Sequence, residues 1–354
     1  MLKQNNIFLP FEVVFHPDWW HRNYNINFTE DYFFDPKKRV EVELLHRQVM
    51  HERFGGDWSD TGQLTPKPVM GPVHLAAGYL VSAVLGCQLR FVKNSAPEII
   101  PKNMSDEEVL ALKVPDITIS EPMNKVINLM DQLEDEFGYV EGDINWQGLL
   151  NVALDLRGQQ FLMDYHLNPP LARRLLDVIY ETTINIVNTI KNRTGTSSTS
   201  VNRIAHLVNP LLNVHSNCSV TMIPVELYNE FHLPYENKLS KELEPYGIHH
   251  CGNDMHRFAD TYATTNAVFF DVGWGSDIAA CRAALPDAIL SLRMDPVLME
   301  QWSVKEVKTE LERCLNEAGP LDKTAVCCIN MGHAVPDENV FAMISVIDKY
   351  RKQI

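Results

Sequence analysis

The second half of the chain alternates between short apolar runs and longer amphipathic stretches. The runs have the length of strands, and the stretches between them carry apolar residues at helical spacing. Strands are predicted at residues 207–215, 247–251, 267–272, 288–292 and 324–330. Apolar strands that alternate with amphipathic helices are typical of a parallel sheet whose faces are covered by helices.

Two predicted helices in this half begin with clear signals. Ser303 and Glu306 form the pattern of a capping box, and the apolar spacing after them continues until Gly319. Pro336 precedes the last predicted helix, which has Asp337 in its first turn, where the helix dipole favours negative charge. These signals indicate where the helices start, and so which residues lie in the loops after the preceding strands.

The number of predicted strands decides between two folds. Further strands at residues 9–15 and 139–144 bring the count close to the eight of a (β/α)8 barrel. A doubly wound open sheet is the alternative, but no Gly-rich phosphate loop follows any predicted strand. We therefore predict an α/β fold in which residues 1–354 form a single TIM-barrel domain. Residues 17–135 are less regular, and we interpret them as an N-terminal helical region of insertions and a lid.

Charge and composition exclude several classes of function. The 354 residues include 31 Lys and Arg against 46 Asp and Glu, which gives a formal charge of -15. Such an acidic protein is not expected to bind nucleic acid or an anionic membrane. We find no apolar run long enough for a transmembrane helix and no signal-peptide pattern at the N-terminus. Seven cysteines, an odd number, indicate reduced thiols and a cytoplasmic protein.

Four groups of polar residues follow predicted strands, where the catalytic groups of a barrel lie. They are residues 143–147, 215–218, 249–251 and 330–333. Because alternate residues of a strand share a face, His249 and Cys251 point the same way. Nitrogen and sulfur are zinc ligands, and catalytic zinc usually has three protein ligands. We therefore predict a metal site from His249 and Cys251, with His333 as the third ligand.

The spacing alone leaves other interpretations open. His333 would also fit a substrate contact or a hydrogen-bond donor in a loop. Cys327 and Cys328 lie in an apolar run, which favours core packing. His215 and Cys218 fit either the lining of a site or buried structure. The metal site is therefore one hypothesis among several at this point.

Three segments of the chain resemble the uroporphyrinogen decarboxylase superfamily. Residues 156–176 are similar to its R-G-x-x-x-F-L-x-D … N-P-x-L-A-x-x-L-L stretch, and residues 224–235 to its S-P-E-x-Y-x-x-F-x-x-P-Y helix. Residues 331–340 resemble its C-terminal G-H/C-x-I-x-P … E-N-V signature. The resemblance extends from about Gly142 to the end of the chain, and it implies a TIM barrel.

Within this superfamily, the chain looks like the zinc-dependent, corrinoid-linked methyltransferases. His249, Cys251 and Gly252 match the His-x-Cys-Gly motif of that branch. Porphyrinogen decarboxylases have an Arg-rich segment that binds substrate carboxylates, whereas residues 13–22 contain a single arginine, Arg22. The resemblance implies Zn²⁺, a corrinoid carried by a partner protein, and a small-molecule methyl donor or acceptor. The sequence also leaves a homodimer open.

The function expected from this resemblance is methyl transfer between a small molecule and the corrinoid. The small molecule would be an O-, N- or S-methyl compound or a thiol acceptor. The residues expected to line the pocket around the reacting methyl group are Asp143, Asn145, His215 and Asn217. A decarboxylating lyase without metal and a non-catalytic corrinoid or tetrapyrrole binder are the alternatives.

The third ligand bears on the direction of transfer. Thiol-methylating relatives have Gly-Cys where this chain has Gly332-His333. With His333 as the third ligand, two imidazoles and one thiolate donate less negative charge to the zinc than one imidazole and two thiolates would. We therefore expect this zinc to be a stronger Lewis acid that polarises a leaving group. Cys328 as the third ligand would restore a thiolate-rich set and favour a nucleophilic zinc thiolate instead.

Overall fold

A computed structural model describes residues 3–4, 8–55, 64–71, 78–142, 144–195, 203–209 and 211–352. Its described strands are β1 (Lys3–Gln4), β2 (Phe11–Phe15), β3 (Gln88–Arg90), β4 (Glu98–Ile100), β5 (Val208–Asn209), β6 (Asn213–Asn217), β7 (Tyr246–His250), β8 (Ala267–Val272), β9 (Ile289–Arg293) and β10 (Thr324–Met331). Six of them form a curled parallel sheet in the order β2-β10-β9-β8-β7-β6. The other four form two antiparallel pairs, β1 with β5 and β3 with β4.

Helices connect the strands and cover the sheet. The described helices are α1 (Pro17–Tyr24), α2 (Glu30–Phe34), α3 (Pro36–Phe54), α4 (Leu80–Val84), α5 (Asp106–Ala111), α6 (Met123–Phe137), α7 (Leu149–Arg157), α8 (Gln160–Leu167), α9 (Pro169–Thr194), α10 (Val225–Phe231), α11 (Leu233–Glu242), α12 (Met255–Tyr262), α13 (Ile278–Ala284), α14 (Val304–Glu317) and α15 (Asp337–Arg351). The predicted capping box is present, because Ser303 and Glu306 cap α14 reciprocally. None of the described helices combines the length and the apolarity needed to cross a bilayer.

Two single bridges continue the strand order of the sheet beyond β6. Gln147 pairs in parallel with Ser216, and Val69 pairs in parallel with Glu141. The six strands and these two positions correspond to the eight parallel positions of a TIM barrel. The predicted α/β TIM-barrel fold is therefore confirmed.

The strand predicted at residues 139–144 is wrong as a regular element. The described part of this segment pairs only through Glu141. Gly142 adopts a φ of 88°, which lies outside the extended region that a strand requires. The segment therefore contributes a bridge and a loop at the edge of the barrel.

Side chains of the sheet alternate between two apolar clusters. The inner cluster fills the barrel with residues including Val14, Val214, Phe269, Ile289, Cys327 and Ile329. The outer cluster joins the sheet to the helices and includes Val13, Ile248, Phe270, Leu290, Val326 and Cys328. Both faces of the strands are therefore buried, which explains why the strands are apolar throughout. The same alternation decides which polar residues at the strand ends face the barrel interior.

Candidate metal centre

Two thiols and an imidazole meet at the carboxyl ends of β6 and β7. The ligand atoms of Cys218, His249 and Cys251, which we call the ligand group, all lie within 4.8 Å of one another. Zinc bonds of about 2.3 Å to sulfur and about 2.0 Å to nitrogen place the atoms of a tetrahedral site about 3.5–3.8 Å apart. No two ligand atoms of this group exceed the spacing that zinc imposes by more than about 1.3 Å. Its atoms are also the donor types that zinc binds, so these residues fit the ion.

Strand register explains why these residues meet. Ser216 of β6 is paired with His249 of β7, so both point into the barrel. Cys218 and Cys251 each lie two positions further along the chain and follow the same side of the sheet. The loops after β6 and β7 therefore carry both thiols to the mouth of the barrel beside the imidazole.

Close backbone packing holds the loop that follows Cys251. A Cβ atom on Gly252 would lie 2.0 Å from Cγ2 of Thr221, and one on Gly273 would lie 2.0 Å from the Gly252 carbonyl oxygen. Neither position can accept a side chain without moving its neighbours. This close packing explains why glycine, and no larger residue, follows Cys251 in the His-x-Cys-Gly motif.

Asp271 orients the imidazole of the ligand group. β8 places Asp271 in register with His249, and the two side chains form a hydrogen bond from Nδ1 to Oδ2. This bond leaves Nε2 available as a metal ligand, and a carboxylate behind a ligating histidine is a common arrangement at zinc sites. Burial lowers the pKa of His249, but the Asp271 carboxylate outweighs it and raises the pKa overall.

The interaction between the two thiols shifts their pKa values in opposite directions. The Cys218 thiol donates a hydrogen bond to the Cys251 sulfur, which lowers the pKa of Cys251, and the nearby His249 and Arg293 lower it further. The same hydrogen bond raises the pKa of Cys218. Cys251 is therefore the first of the two to become a thiolate, and a metal that binds both sulfurs would release the proton of Cys218.

Arg293, at the end of β9, lies directly beside the ligand group. Its Nη1 is 3.3 Å from the Cys251 sulfur and 3.5 Å from Nε2 of His249. Burial lowers the pKa of Arg293, but Asp271 and Cys251 outweigh it, so the side chain stays charged. With a divalent metal, two thiolates and Asp271, this guanidinium brings the formal charge of the site to zero.

A cavity of about 470 Å³ opens in front of these groups. Its polar lining, besides the ligand group, includes Asn145, Gln147, Asp155, Ser216, Arg293 and Asn330. Oδ2 of Asp155 accepts hydrogen bonds of 2.7 Å from Ser82 Oγ and from Gln147 Nε2. Burial raises the pKa of Asp155. Asn330 adopts a φ of 62° where the pairing of β10 with β2 shifts its register, and such irregular strand ends are frequent beside functional sites.

The predicted pocket residues lie in different places. Asn145 lines the cavity, and its Oδ1 accepts a hydrogen bond of 3.3 Å from Ser216 Oγ. His215 and Asn217 point to the opposite side of β6, toward the helices. Asp143 lies outside the described residues. The cavity instead receives Ser216, which sits between the two predicted residues.

His215 and Asn217 belong to a buried cluster around the carboxylate of Glu236. We call His215, Asn217, Tyr228, Glu236 and Tyr246 the Glu236 cluster. His215 Nδ1 lies 3.1 Å from both carboxylate oxygens, Asn217 donates at 3.0 Å and Tyr228 at 2.8 Å, and Tyr246 also donates. The backbone N–H of Leu149 donates to Nε2 of His215, so both ring nitrogens have partners.

The predicted third ligands are not part of the ligand group. Nδ1 of His333 lies 2.8 Å from Oδ2 of Asp18, and the His333 side chain is 46% exposed. Cys328 is fully buried on the outer face of β10, and its thiol contacts the carbonyl oxygen of Met294 at 3.7 Å. The structure brings Cys218 to the position that the sequence had suggested for either of them.

The site predicted from the sequence does not include three residues of this centre, namely Cys218 of the ligand group, Asp271 and Arg293. All three obey the rule that had united His249 with Cys251. Cys218 shares the parity of Ser216, whereas Arg293 shares that of Ile289 on the inner face. Alternation places these residues on the inner face, but the register between neighbouring strands decides that they lie beside His249.

Comparisons with known proteins place the fold in a family. The family model described as Uroporphyrinogen decarboxylase (URO-D) matches residues 79–350. A solved methyltransferase from Methanosarcina mazei has a TM-score of 0.67 at 15% identity, over 97% of this chain and 94% of that chain. A B12-independent methionine synthase from Shewanella sp. W3-18-1, solved in complex with selenomethionine, has a TM-score of 0.51 at 10% identity, over 98% and 99%.

At these identities the solved structures show a shared fold. A search of curated proteins found no match. The family model, in contrast, covers most of the sequence, including the ligand group and Arg293. The chain therefore belongs to the uroporphyrinogen decarboxylase (URO-D) family.

Proposed function

We propose that this protein is a zinc-dependent methyltransferase that moves a methyl group between a small molecule and a corrinoid on a partner protein. The observation that carries this proposal is the ligand group at the floor of the cavity, with Asp271 behind His249. The fold adds support, since the two similar solved structures are described as a methyltransferase and a methionine synthase.

The donor set bears on the direction of transfer. With Cys218 in the place expected for His333, the group has two thiolates and one imidazole. It therefore donates one more negative charge than the set predicted from the sequence. A thiolate-rich set keeps a bound substrate thiolate nucleophilic, so we propose that the small molecule is a thiol acceptor. Bound zinc would hold the substrate thiol as its thiolate near neutral pH.

The residues of the chain have separate tasks in this proposal. Cys218, His249 and Cys251 would hold the metal, and Asp271 keeps Nε2 of His249 directed toward it. Arg293 offsets the negative charge that the thiolates and Asp271 accumulate in a partly buried site. The hydrogen bonds of Asp155 with Ser82 and Gln147 fix one wall of the cavity.

A corrinoid-carrying protein would approach the mouth of the barrel, where the cavity opens. The thiols of the ligand group must stay reduced to bind a metal, and this suits the cytoplasm. A decarboxylase acting on a polycarboxylated macrocycle is the second candidate because of the family. It fits less well, because Arg293 is the one Arg or Lys among the described residues that line the cavity.

A methyl-transfer assay tests the proposal. The full-length, zinc-loaded protein is mixed with methylcobalamin and a series of small thiols, and loss of the methylcobalamin absorbance is followed. We expect a rate above the protein-free control that a chelator abolishes and zinc restores. Cys251→Ala should abolish the rate, whereas Cys328→Ala should retain it. Decarboxylation by the metal-free protein, with no methyl transfer by the zinc form, would contradict the proposal.

A further inference from the structure

Arg293 is the charged group that the fold and the proposed reaction leave partly unused. Its Nη1 contacts the ligand group, but its Nε is buried and has no hydrogen-bond partner among the described residues. A buried guanidinium nitrogen without a partner is costly, and such groups are usually satisfied by a ligand or solvent. Arg293 also lines the cavity, so its guanidinium group can contact a molecule bound there.

Metal binding would release a further donor from this arginine. Nε2 of His249 has one lone pair, and it cannot both ligate a metal and accept a hydrogen bond from Nη1 of Arg293. The sulfur of Cys251 would likewise give its charge to the metal. The guanidinium would then have fewer acceptors in the protein, while remaining at the same wall of the cavity.

The surroundings of Arg293 determine which ligand it suits. The carboxylate of Asp155 also lines the cavity, but it already accepts hydrogen bonds from Ser82 and Gln147. A planar guanidinium with free N–H groups pairs best with a carboxylate, which accepts two parallel hydrogen bonds.

We propose that Arg293 binds the carboxylate of a small acidic substrate and thereby places its reactive end at the ligand group. The inference rests on the proposed function for the kind of reaction, and it adds the class of substrate and the residue that selects it. Arg293 acts as a substrate-binding residue, and its distance of 3.3 Å from the Cys251 sulfur limits the substrate to a few atoms between its acid group and its reacting atom.

Two alkylating reagents of nearly equal size test this assignment without any metal. In the chelator-treated full-length protein, the Cys251 thiolate attacks the CH₂ carbon of iodoacetate or of neutral iodoacetamide. A C–S bond forms, the C–I bond breaks and iodide leaves. Mass spectrometry of the modified peptide gives both rates at Cys251. Their ratio reports recognition of the carboxylate, because both reagents need the same thiolate and any change in its pKa cancels.

Relative to glutathione, the rate ratio of iodoacetate to iodoacetamide at Cys251 should be raised at least tenfold. It should fall at least tenfold in Arg293→Gln and be largely kept in Arg293→Lys. Arg257→Gln is the matched control, because Arg257 is half exposed on α12, paired with Asp254 and not among the cavity-lining residues. Its ratio should equal that of the wild type.

Equal ratios in the wild type and Arg293→Gln would overturn the inference, and so would a Cys251 that reacts with neither reagent. If Arg293→Gln does not fold, the inference is tested by a protection experiment on the wild type. Propionate should then protect Cys251 from iodoacetamide, while propionamide should not, and equal protection would overturn the inference. These measurements need no zinc and no methyl transfer. Their result is therefore independent of whether the proposed function is correct.

Discussion

The two faces of β6 and β7 carry polar clusters of opposite character. On the outer face, the Glu236 cluster is buried, and four side chains direct their donors onto one carboxylate. On the inner face, the ligand group borders a cavity, and the neighbouring Arg293 keeps a buried nitrogen without a partner among the described residues. One residue of displacement along β6 separates Ser216, which faces the cavity, from His215, which does not.

The comparison teaches how to tell a structural cluster from a functional one in this fold. Histidines of both clusters have a carboxylate on Nδ1, so the residue types alone do not separate them. The difference lies at Nε2. The backbone N–H of Leu149 occupies Nε2 of His215, whereas Nε2 of His249 faces Arg293 at 3.5 Å across the cavity wall. A saturated network stabilises the fold, and an incompletely satisfied one has capacity for a ligand.

The largest expected effect concerns the Glu236 cluster, in which every donor has a partner. Glu236→Ala leaves the donors of four buried side chains without their acceptor, so we expect the free energy of unfolding to fall by about 3–5 kcal/mol. Glu230→Ala is the control, because the ion pair of Glu230 with Arg173 is exposed and should contribute less than about 1 kcal/mol. Urea denaturation of the metal-free proteins measures both. A loss below 1 kcal/mol for Glu236→Ala would show that the cluster is not structural.

The contribution of the Glu236 cluster to the free energy of unfolding should decrease in acid. Burial raises the pKa of Glu236, but the His215 imidazole and the hydrogen bonds from His215, Tyr246 and Asn217 lower it to about 2, against an ordinary value of 4.5. Because the folded pKa is the lower one, this carboxylate contributes stability above pH 4.5, and the contribution is lost as the pH falls toward 2. The amount is about 3 kcal/mol.

The measurement for this second prediction compares the wild type with Glu236→Gln, whose side chain does not ionise. Urea unfolding of both proteins in chelator is followed from pH 7 downward. We expect the difference in unfolding free energy to be constant above pH 4.5 and to shrink below it. A difference that stays the same in acid would contradict the lowered pKa.

A smaller effect is expected at the ligand group, where the measured quantity is zinc affinity. Asp271→Asn removes the charge behind His249, so zinc affinity should fall about 10–100-fold. Asp254→Asn is the matched control, since Asp254 makes the same kind of contact, at 3.0 Å, with Nε2 of the neighbouring His250, which points away from the cavity. Competition with a fluorescent chelator measures both affinities. An equal decrease in the two variants would mean that the effect is not transmitted through His249.

Much of the fold could be predicted from the sequence because both faces of the strands are buried. The apolar runs were therefore unmistakable, and the prediction of β8 at residues 267–272 agrees with the structure residue by residue. Residues 224–235, which resemble a single helix of the superfamily, belong to two helices instead. Pro234 lies in the first turn of α11, where its missing N–H favours the start of a new helix.

The candidate site was predictable only where local periodicity decides it. His249 and Cys251 are two residues apart on one strand, and alternation joins them without knowledge of the fold. The partner from another strand depends on register, which pairs Ser216 with His249 and thereby brings in Cys218. Cys328 lies on the outer face of β10, away from the ligand group, because its neighbours Cys327 and Ile329 occupy the inner face. Register between distant strands cannot be read from one sequence.

Zinc content of purified variants tests the central claim, that Cys218 completes the ligand group, most directly. Wild type, Cys218→Ala, Cys328→Ala and His333→Ala are loaded with zinc, dialysed against a weak chelator and analysed for metal. We predict about one zinc per chain in the wild type, in Cys328→Ala and in His333→Ala, and almost none in Cys218→Ala. Retention of zinc by Cys218→Ala, together with its loss from Cys328→Ala or His333→Ala, would contradict the account.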